Sequence, residues 1–427
     1  MAQNCIRRYD ARVRGPTIGA RQRTTAIAAV CSLAIATLGI AAAPPAAAFP
    51  GANGRIAFWS DRSVDLGEVY SMRADGSGQV QLTDDLRANR FPEWSPDGSK
   101  VVFQRLVGGH YDLYLMNGDG SGPLRQLTTN PTDDRQPTWS PDGQKISFST
   151  HRDGNWEIYS MNINGSEFTN LTTNKADDEN PAWSPNGKTI VFDSDRGVGT
   201  GIYAMNAANG AGQRDLTVSA SANRWASWSP DGSRIAFSTD RDGNDEIYTM
   251  DADGADPTRL TDDPGADRYP AWSPDGSAIA FSSDRSGDRE IYRMGAGGSG
   301  VTNLTNRAGA DDFPSWQPVC TVRGTDRSDK LTGTSGDDLI CGLGGNDTIQ
   351  AGGGNDVVFG GAGGDLLVGG LGNDIVSGGT GADRLWGGEG NDRLSGLDLV
   401  EGNDHVDGGT GRDVCTRDPG DTRKNCP

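Results

Sequence analysis

WSPDGSRIAFSTDRDGNDEIYTMDADGADPTRLTDDPGADRYPAW, residues 228–272, is the stretch that decides the fold. It opens on Trp228-Ser229-Pro230-Asp231-Gly232 and ends on Trp272, which opens the next copy. The same pentapeptide starts at Trp94 and Trp139; the copy at Trp183 has Asn186 in place of the acid, and Trp316 keeps only Trp-Gln-Pro. Successive tryptophans stand 45, 44, 45, 44 and 44 residues apart, and a step of 45 back from Trp94 lands on the blurred copy at Phe49. Ser-Pro-Asp-Gly is type I turn chemistry, with Pro fixing φ at the second place and Gly at the fourth. A β-rich run follows (Arg234 to Ser238), then an Asp-Arg-x-Gly turn, a second run (Glu246 to Met250), an Asp-x-Asp-Gly turn, Leu260-Thr261, and a loop into Pro270 to Trp272. Each unit therefore reads as four short strands with no helical period. Units of 40–45 residues with four strands are propeller blades. The chain is expected to be all-β, with a six-bladed β-propeller over 49–318. Phe313 to Pro318 is a surplus inner strand, expected to complete the blade containing Ile56 to Trp59 and so close the ring.

Composition narrows the function. Asp and Glu number 58 against 39 Lys and Arg, for a formal charge of −19. That balance argues against nucleic acid, which demands a basic face to displace counterions. Three histidines leave little room for multi-histidine metal chemistry, and 62 glycines make the chain unusually light. Arg62, Arg105, Arg152, Arg196, Arg241 and Arg285 recur at one turn, with Glu68, Asp112, Glu157, Glu246 and Glu290 across the hairpin. These are expected to form a structural ion pair in each blade, worth a few tenths to ~1 kcal/mol. Function belongs where the copies differ. Four residues before each Trp the series runs Arg90, Arg135, Glu179, Arg224, Arg268, Asp312; one place on it runs Phe91, Gln136, Asn180, Trp225, Tyr269, Phe313. These positions open the inner strand and should ring one mouth of the funnel. Arg90, Arg135, Arg224 and Arg268 are the candidate ligand-binding residues, suited to an anionic or carbohydrate-like ligand. The alternative is that they pair with Asp134, Asp178, Asp267 and Asp311. No catalytic residue stands out: there is no G-x-S-x-G, no H-E-x-x-H and no Cys in the region.

The WSPDG turns, the Ile-Ala-Phe-Ser strands and the Glu-Ile-Tyr-x-Met strands resemble the propeller repeats of TolB and related secreted propellers. The resemblance covers about 270 residues and implies the architecture, whereas propellers serve as scaffolds, receptors and enzymes alike. No additional TolB-type N-terminal domain is expected between leader and propeller.

After Pro318 the composition changes: residues 319–427 hold 28 Gly and 18 acids against nine bases. A nonapeptide repeat runs from Gly324 to Thr416, clearest in Gly369-Gly370-Leu371-Gly372-Asn373-Asp374-Ile375-Val376-Ser377. Its sixth position carries Asp329, Asp338, Asp347, Asp356, Asp365, Asp374, Asp383 and Asp392. After a three-residue insertion come Asp404 and Asp413. Each nonapeptide is a half-coil, so copies eighteen apart stack on one edge at a strand spacing of ~4.8 Å. Two carboxylates so placed repel by ~3.5 kcal/mol at an effective dielectric of 20. Each column wants a cation, and a hard ion taking carboxylate and carbonyl oxygens is Ca²⁺. The repeats closely resemble the hemolysin-type (RTX) calcium-binding nonapeptides over about 95 residues, which implies a parallel β-roll. The expected ligands are Asp338, Asp347, Asp356, Asp365, Asp374, Asp383, Asp392, Asp404 and Asp413, on a thin core that folds as metal binds. The first two units (324–341) lack the paired Gly and are expected to cap the roll with few or no ions.

Residues 1–48 combine six Arg, an Ala-rich apolar run and Ala46-Ala47-Ala48 before Phe49. That is the pattern of a cleaved secretory signal peptide, with an uncleaved membrane anchor as the alternative. Its removal takes the charge from −19 to −24 and leaves four Cys, which allow three pairings. Cys320 with Cys341 and Cys415 with Cys426 is the expected set, one bridge at each end of a roll spanning 319–427. The sequence thus describes a secreted, extracellular, calcium-binding protein with no membrane span once the leader is removed. The propeller is expected to be a non-catalytic recognition or scaffold module for a protein or carbohydrate ligand at its mouth. The competing class is a secreted polysaccharide lyase or hydrolase whose roll is a Ca²⁺-dependent folding device.

Overall fold

The computed structural model describes residues 51–62, 66–85, 87–398, 400 and 402–426; the expected leader lies outside them. The described residues contain no helix, and so none long and apolar enough to cross a membrane. Six four-stranded antiparallel sheets form the propeller, and two six-stranded parallel sheets form a solenoid over residues 322–424. Blades two to six follow chain order, each beginning on an inner strand: Asn89–Trp94, Asp134–Trp139, Asp178–Trp183, Asn223–Trp228 and Asp267–Trp272. Blade one takes its inner strand, Asp311–Val319, from the far end of the ring. That strand pairs with Ala52–Ser60 through Ile56↔Trp316 and Ala57↔Ser315, closing the ring as the register predicts.

The turn chemistry does what its residues dictate. In the turn after Trp94, Gly98 N–H donates to the Ser95 carbonyl at 2.8 Å, and Ser95 Oγ both donates to Asp97 and accepts from Lys100 N. Gly98 sits at φ +69°, the left-handed region that a Cβ disfavours. Each second strand buries one Phe completely (Phe58, Phe103, Phe148, Phe192, Phe237, Phe281), and its cross-strand partner on the third strand is a Tyr.

The recurring arginines correct one expectation. Arg62, Arg152, Arg196 and Arg285 reach the aspartate opening an inner strand (Asp311, Asp134, Asp178 and Asp267, at 2.6–3.1 Å), not the acid across the hairpin. Each guanidinium also lies over its blade's Phe–Tyr pair, as Arg285 does at 5.5 and 4.9 Å, adding roughly 0.5–2 kcal/mol. The hairpin glutamates Glu68, Glu246 and Glu290 instead accept from the buried hydroxyls of Thr83, Thr261 and Thr305. Geometry decides this: the arginine follows its strand immediately and turns back toward the inner strand beside it.

The solenoid register is eighteen residues, as in Ile349↔Leu367 and Val358↔Val376, and becomes twenty-one across the insertion (Leu385↔Val406). Its core is one apolar residue per half-coil, Ile340 to Val406, each 0% exposed. Both disulfides pair as expected, with Cα atoms 6.0 Å apart for Cys320–Cys341 and 5.9 Å for Cys415–Cys426. The outer face of the first sheet, built on Leu339, Val357 and Ile375, lies on the propeller's Ser-Pro-Asp-Gly side. There Gln144 Nε2 donates to Ser377 Oγ at 2.8 Å, and Arg393 stands 3.6 Å from Asp142.

Candidate metal centre and the propeller lumen

The eighteen-residue register sorts the sixth-position aspartates into two edges: Asp338, Asp356, Asp374, Asp392 and Asp413 on one, Asp347, Asp365, Asp383 and Asp404 on the other. Each uses one oxygen to tie its coil to the coil before it. Oδ1 of Asp374 accepts from Asp356 N at 2.9 Å, and Oδ1 of Asp383 from Asp365 N at 2.8 Å, with the same bond at every step. The second oxygen, Oδ2, is buried without a hydrogen-bond partner in Asp347, Asp356, Asp365, Asp374, Asp383, Asp392, Asp404 and Asp413. These side chains are 0–3% exposed. Burial, followed by the charges stacked above and below, pushes the carboxyls of Asp356, Asp374 and Asp383 up to about 7 and those of Asp392 and Asp404 up to about 6. The acid-paired cations of the roll go elsewhere, Lys424 to Asp407 and Arg393 to the propeller. A desolvated carboxylate oxygen with nothing to bind is expensive, and eight in two files fit a hard cation.

No group of three or more His, Cys, Asp or Glu gathers at one point among the described residues, so the turn carbonyls must complete any oxygen shell. Glycine leaves the room for it. A Cβ on Gly369 would stand 2.3 Å from Asp374 Oδ2, and one on Gly387 2.3 Å from Asp392 Oδ2. Asp338 departs from the pattern. Its Oδ2 accepts from Thr334 N and Thr334 Oγ1, at 2.6 and 2.8 Å, just as Thr325 satisfies Asp329. Threonine stands where most later half-coils have the second Gly, and Asp347 and Asp404 have Leu343 and Val400; none of these can supply the hydroxyl, which is how the first two half-coils differ.

In the propeller, the residues three before each Trp all adopt positive φ: Phe91, Gln136, Asn180, Trp225, Tyr269 and Phe313, at 51–58°. Each sits at a bulge in its inner strand. For a large side chain this is strained, at roughly 1–3 kcal/mol each. The bulge turns the rings toward one another across the channel: Phe91 on Phe313 at 3.8 Å, Trp225 on Tyr269 at 4.2 Å, Tyr269 on Phe313 at 4.4 Å. They form a septum, which nothing in the sequence announces, because only Asn180 is a residue type at ease in that region.

The four candidate arginines stand on one side of the septum, each second in its inner strand, and they differ. Arg135 pairs with Asp133 and is sandwiched by Tyr111 and Trp156; Arg268 pairs with Asp245, each ion pair at 2.5 Å. Neither uses the aspartates named as alternatives, which hold the turn arginines. Arg90 lies 4.9 Å over Trp59, Arg224 lies 6.0 Å from Trp225, and neither has an acid within 4 Å among the described residues. A 400 Å³ cavity here is lined by Glu179, Asp193 and Arg224 against Trp225. Burial lifts Asp193 well above the usual carboxylate range and Asp312, beside Arg289, up to about 6. Beyond the septum a 360 Å³ cavity runs between the Pro-x-Trp strands, where Glu93 supplies the sole carboxylate. Sequence reasoning passed Glu93 over, although lining up the six copies sets it against Thr138, Ala182, Ser227, Ala271 and Ser315.

The comparisons with known proteins follow the same division. The model described as TolB beta propeller domain matches residues 87–174, 125–227 and 212–324. The model described as RTX calcium-binding nonapeptide repeat matches 321–349, 332–367, 342–376, 368–398 and 401–421. No curated protein matches the sequence. Among solved structures, TolB from Acinetobacter baumannii is similar at 24% identity and TM-score 0.56, over 63% of this chain and 68% of that one. Putative TolB from Agrobacterium tumefaciens gives 24% and 0.50, over 63% and 92%. A chain of the nidogen/laminin complex gives 7% and 0.52, over 62% and 98%, which is a likeness of fold alone. With more than half of its length matched by the propeller model, the chain belongs to the TolB β-propeller family, and it carries RTX calcium-binding nonapeptide repeats behind the propeller.

Proposed function

We propose that this chain is a secreted calcium-binding protein whose roll takes up Ca²⁺ along both edges, and whose propeller is a non-catalytic recognition or scaffold module outside the cell. The division 1–48 leader, 49–318 propeller and 319–427 roll goes with this reading. The observation that carries it is the set of eight buried aspartates, each with one unpartnered carboxylate oxygen. Asp347, Asp356, Asp365, Asp374, Asp383, Asp392, Asp404 and Asp413 would hold the ions together with turn carbonyls. Ca²⁺ supplies the positive charge that the stacked acids lack. Two disulfides and the leader pattern support an oxidising, extracellular setting. At the propeller mouth, Arg90 and Arg224, neither in an ion pair among the described residues, support an anionic carbohydrate or protein ligand, although Glu179 and Asp193 line the cavity beside Arg224.

The test is Ca²⁺ titrated into residues 49–427 by calorimetry and circular dichroism. Several ions per chain at roughly 10⁻⁴–10⁻³ M, with a gain of β signal, are expected. A chain that shows neither heat nor a spectral change overturns the calcium reading. The same calcium-loaded chain, immobilised, should retain oligogalacturonate and lose it on Arg90→Ser with Arg224→Ser; retention unchanged by that pair removes the mouth from the proposal.

A further inference from the structure

In three of the six blades the residue before the tryptophan accepts a hydrogen bond from the next blade, and the copies show how little that task demands. Ser315 Oγ accepts the backbone N–H of Trp94 at 3.2 Å, and Ser227 Oγ that of Trp272 at 3.4 Å, each bonding an inner strand to the next blade. In blade two the same task falls to Glu93, whose Oε1 accepts from Trp139 N at 3.2 Å and from Thr138 Oγ1 at 3.0 Å. A hydroxyl suffices in blades one and five, and Ala182 and Ala271 have neither, so the carboxylate is surplus to the bond. The side-chain hydrogen bonds of Glu93 both go to Oε1, which leaves Oε2 to the lumen. The walls around it are the Pro-x-Trp segments, the septum closes the far end, and Glu93 is the only carboxylate of that 360 Å³ space. Desolvation raises the carboxyl to about 7, with no neighbouring cation to oppose it.

An isolated, half-buried carboxylate facing an aromatic cavity asks for a counter-charge of a particular kind. An inorganic cation demands six or more oxygens, which tryptophan and proline walls do not offer. An organic ammonium is content with one carboxylate and ring faces. The volume lies at the small end of ligand cavities, roughly 300–1,000 Å³, which suits a single ring and not a polymer. From the geometry we infer that the lumen on the Trp side of the septum is a binding site for a small organic ammonium, with Glu93 as its counter-ion. The site goes beyond the mouth reading, because the septum separates it from Arg90 and Arg224. It is reached from the turn face, where Pro185 and Pro230 border both the lumen and the groove against the roll.

The experiment uses the mature chain in saturating Ca²⁺, with benzylammonium as probe and benzyl alcohol as its neutral counterpart, read by tryptophan fluorescence. A saturable change with benzylammonium is expected, weakened at least about tenfold by Glu93→Gln and by Glu93→Ser, the latter supplying the residue that blades one and five use. Benzyl alcohol should bind the three proteins equally. Equal benzylammonium affinity in all three, or no saturable change in the native chain, overturns the site. Competition by Ca²⁺ that disappears with Glu93→Gln overturns it in favour of an inorganic-cation site.

Discussion

Glu93 and Asp312 hold protons near neutrality that their unfolded counterparts have already released, because burial raises both carboxyls, to about 7 and about 6. A carboxyl raised in the folded state contributes stability that is present at low pH and lost as the pH rises through its folded value. The propeller should therefore unfold more readily in denaturant at pH 8 than at pH 5, and Glu93→Gln should flatten the slope. On the shift from 4.5 to about 7, the Glu93 share is on the order of 3 kcal/mol across that range. Chevron or equilibrium urea curves at the two pH values, native against Glu93→Gln, measure it; identical slopes would mean that the lumen keeps the carboxyl solvated. The same residue shows what a sequence withholds at this scale. A lone acid among six aligned copies was visible, but its place in the lumen was not, since that depends on which way a bulged strand turns.

At the scale of the element, the nine-residue half-coil was legible almost entirely. Gly pairs, the file of Asp and one apolar residue per half-coil carry the resemblance to RTX nonapeptides, which implied the parallel roll, and the nine-residue spacing then set the register of eighteen. The blade was legible for the same reason, its turns being written in Ser-Pro-Asp-Gly. Its bulge was not, because a left-handed Phe or Trp is held by neighbours, such as Asp193 accepting Trp225 N at 3.1 Å, and not by its own preference. The arginine partners were misjudged for a related reason: cross-hairpin proximity was inferred from the sequence, while the inner strand lay nearer. Threonine in the capping coils gives the element-scale prediction. Thr334→Gly removes the hydroxyl bond to Asp338 Oδ2, leaves only the backbone N–H on that oxygen and restores the paired Gly, so the calorimetric count of bound Ca²⁺ should rise by about one. An unchanged count would show that something other than Thr334 keeps ions from that coil.

Across the whole molecule, the first roll edge and the propeller share a groove of 420 Å³, in which Asp356, Asp374 and Asp392 face Pro185, Lys188 and Pro230. The sheet beside that edge carries the contacts to Gln144 and Asp142. Ions that order this edge should thus order the propeller's turn face as well. Chelation with EGTA is expected to lower hydrogen-exchange protection at residues 142–145 and 185–188 by about tenfold, while the fully buried Phe strands keep theirs. Protection at those turns that ignores chelation would make the two parts energetically independent.

Ring closure has a consequence for the order of assembly. Ile56 meets Trp316 from 260 residues away, and no shorter pairing completes blade one. Blades two to six are local hairpins that can form as the chain emerges, yet the arc they make keeps two raw edges until residue 319 is free. Such a distant contact forms late and slowly, so the half-built arc is the interval in which two nascent chains can trade their closing strands. Cys320 follows that strand directly, and its bond to Cys341 latches the ring once the first coils are in place. Oxidation after closure would fix the monomer; oxidation before it would fix the swap.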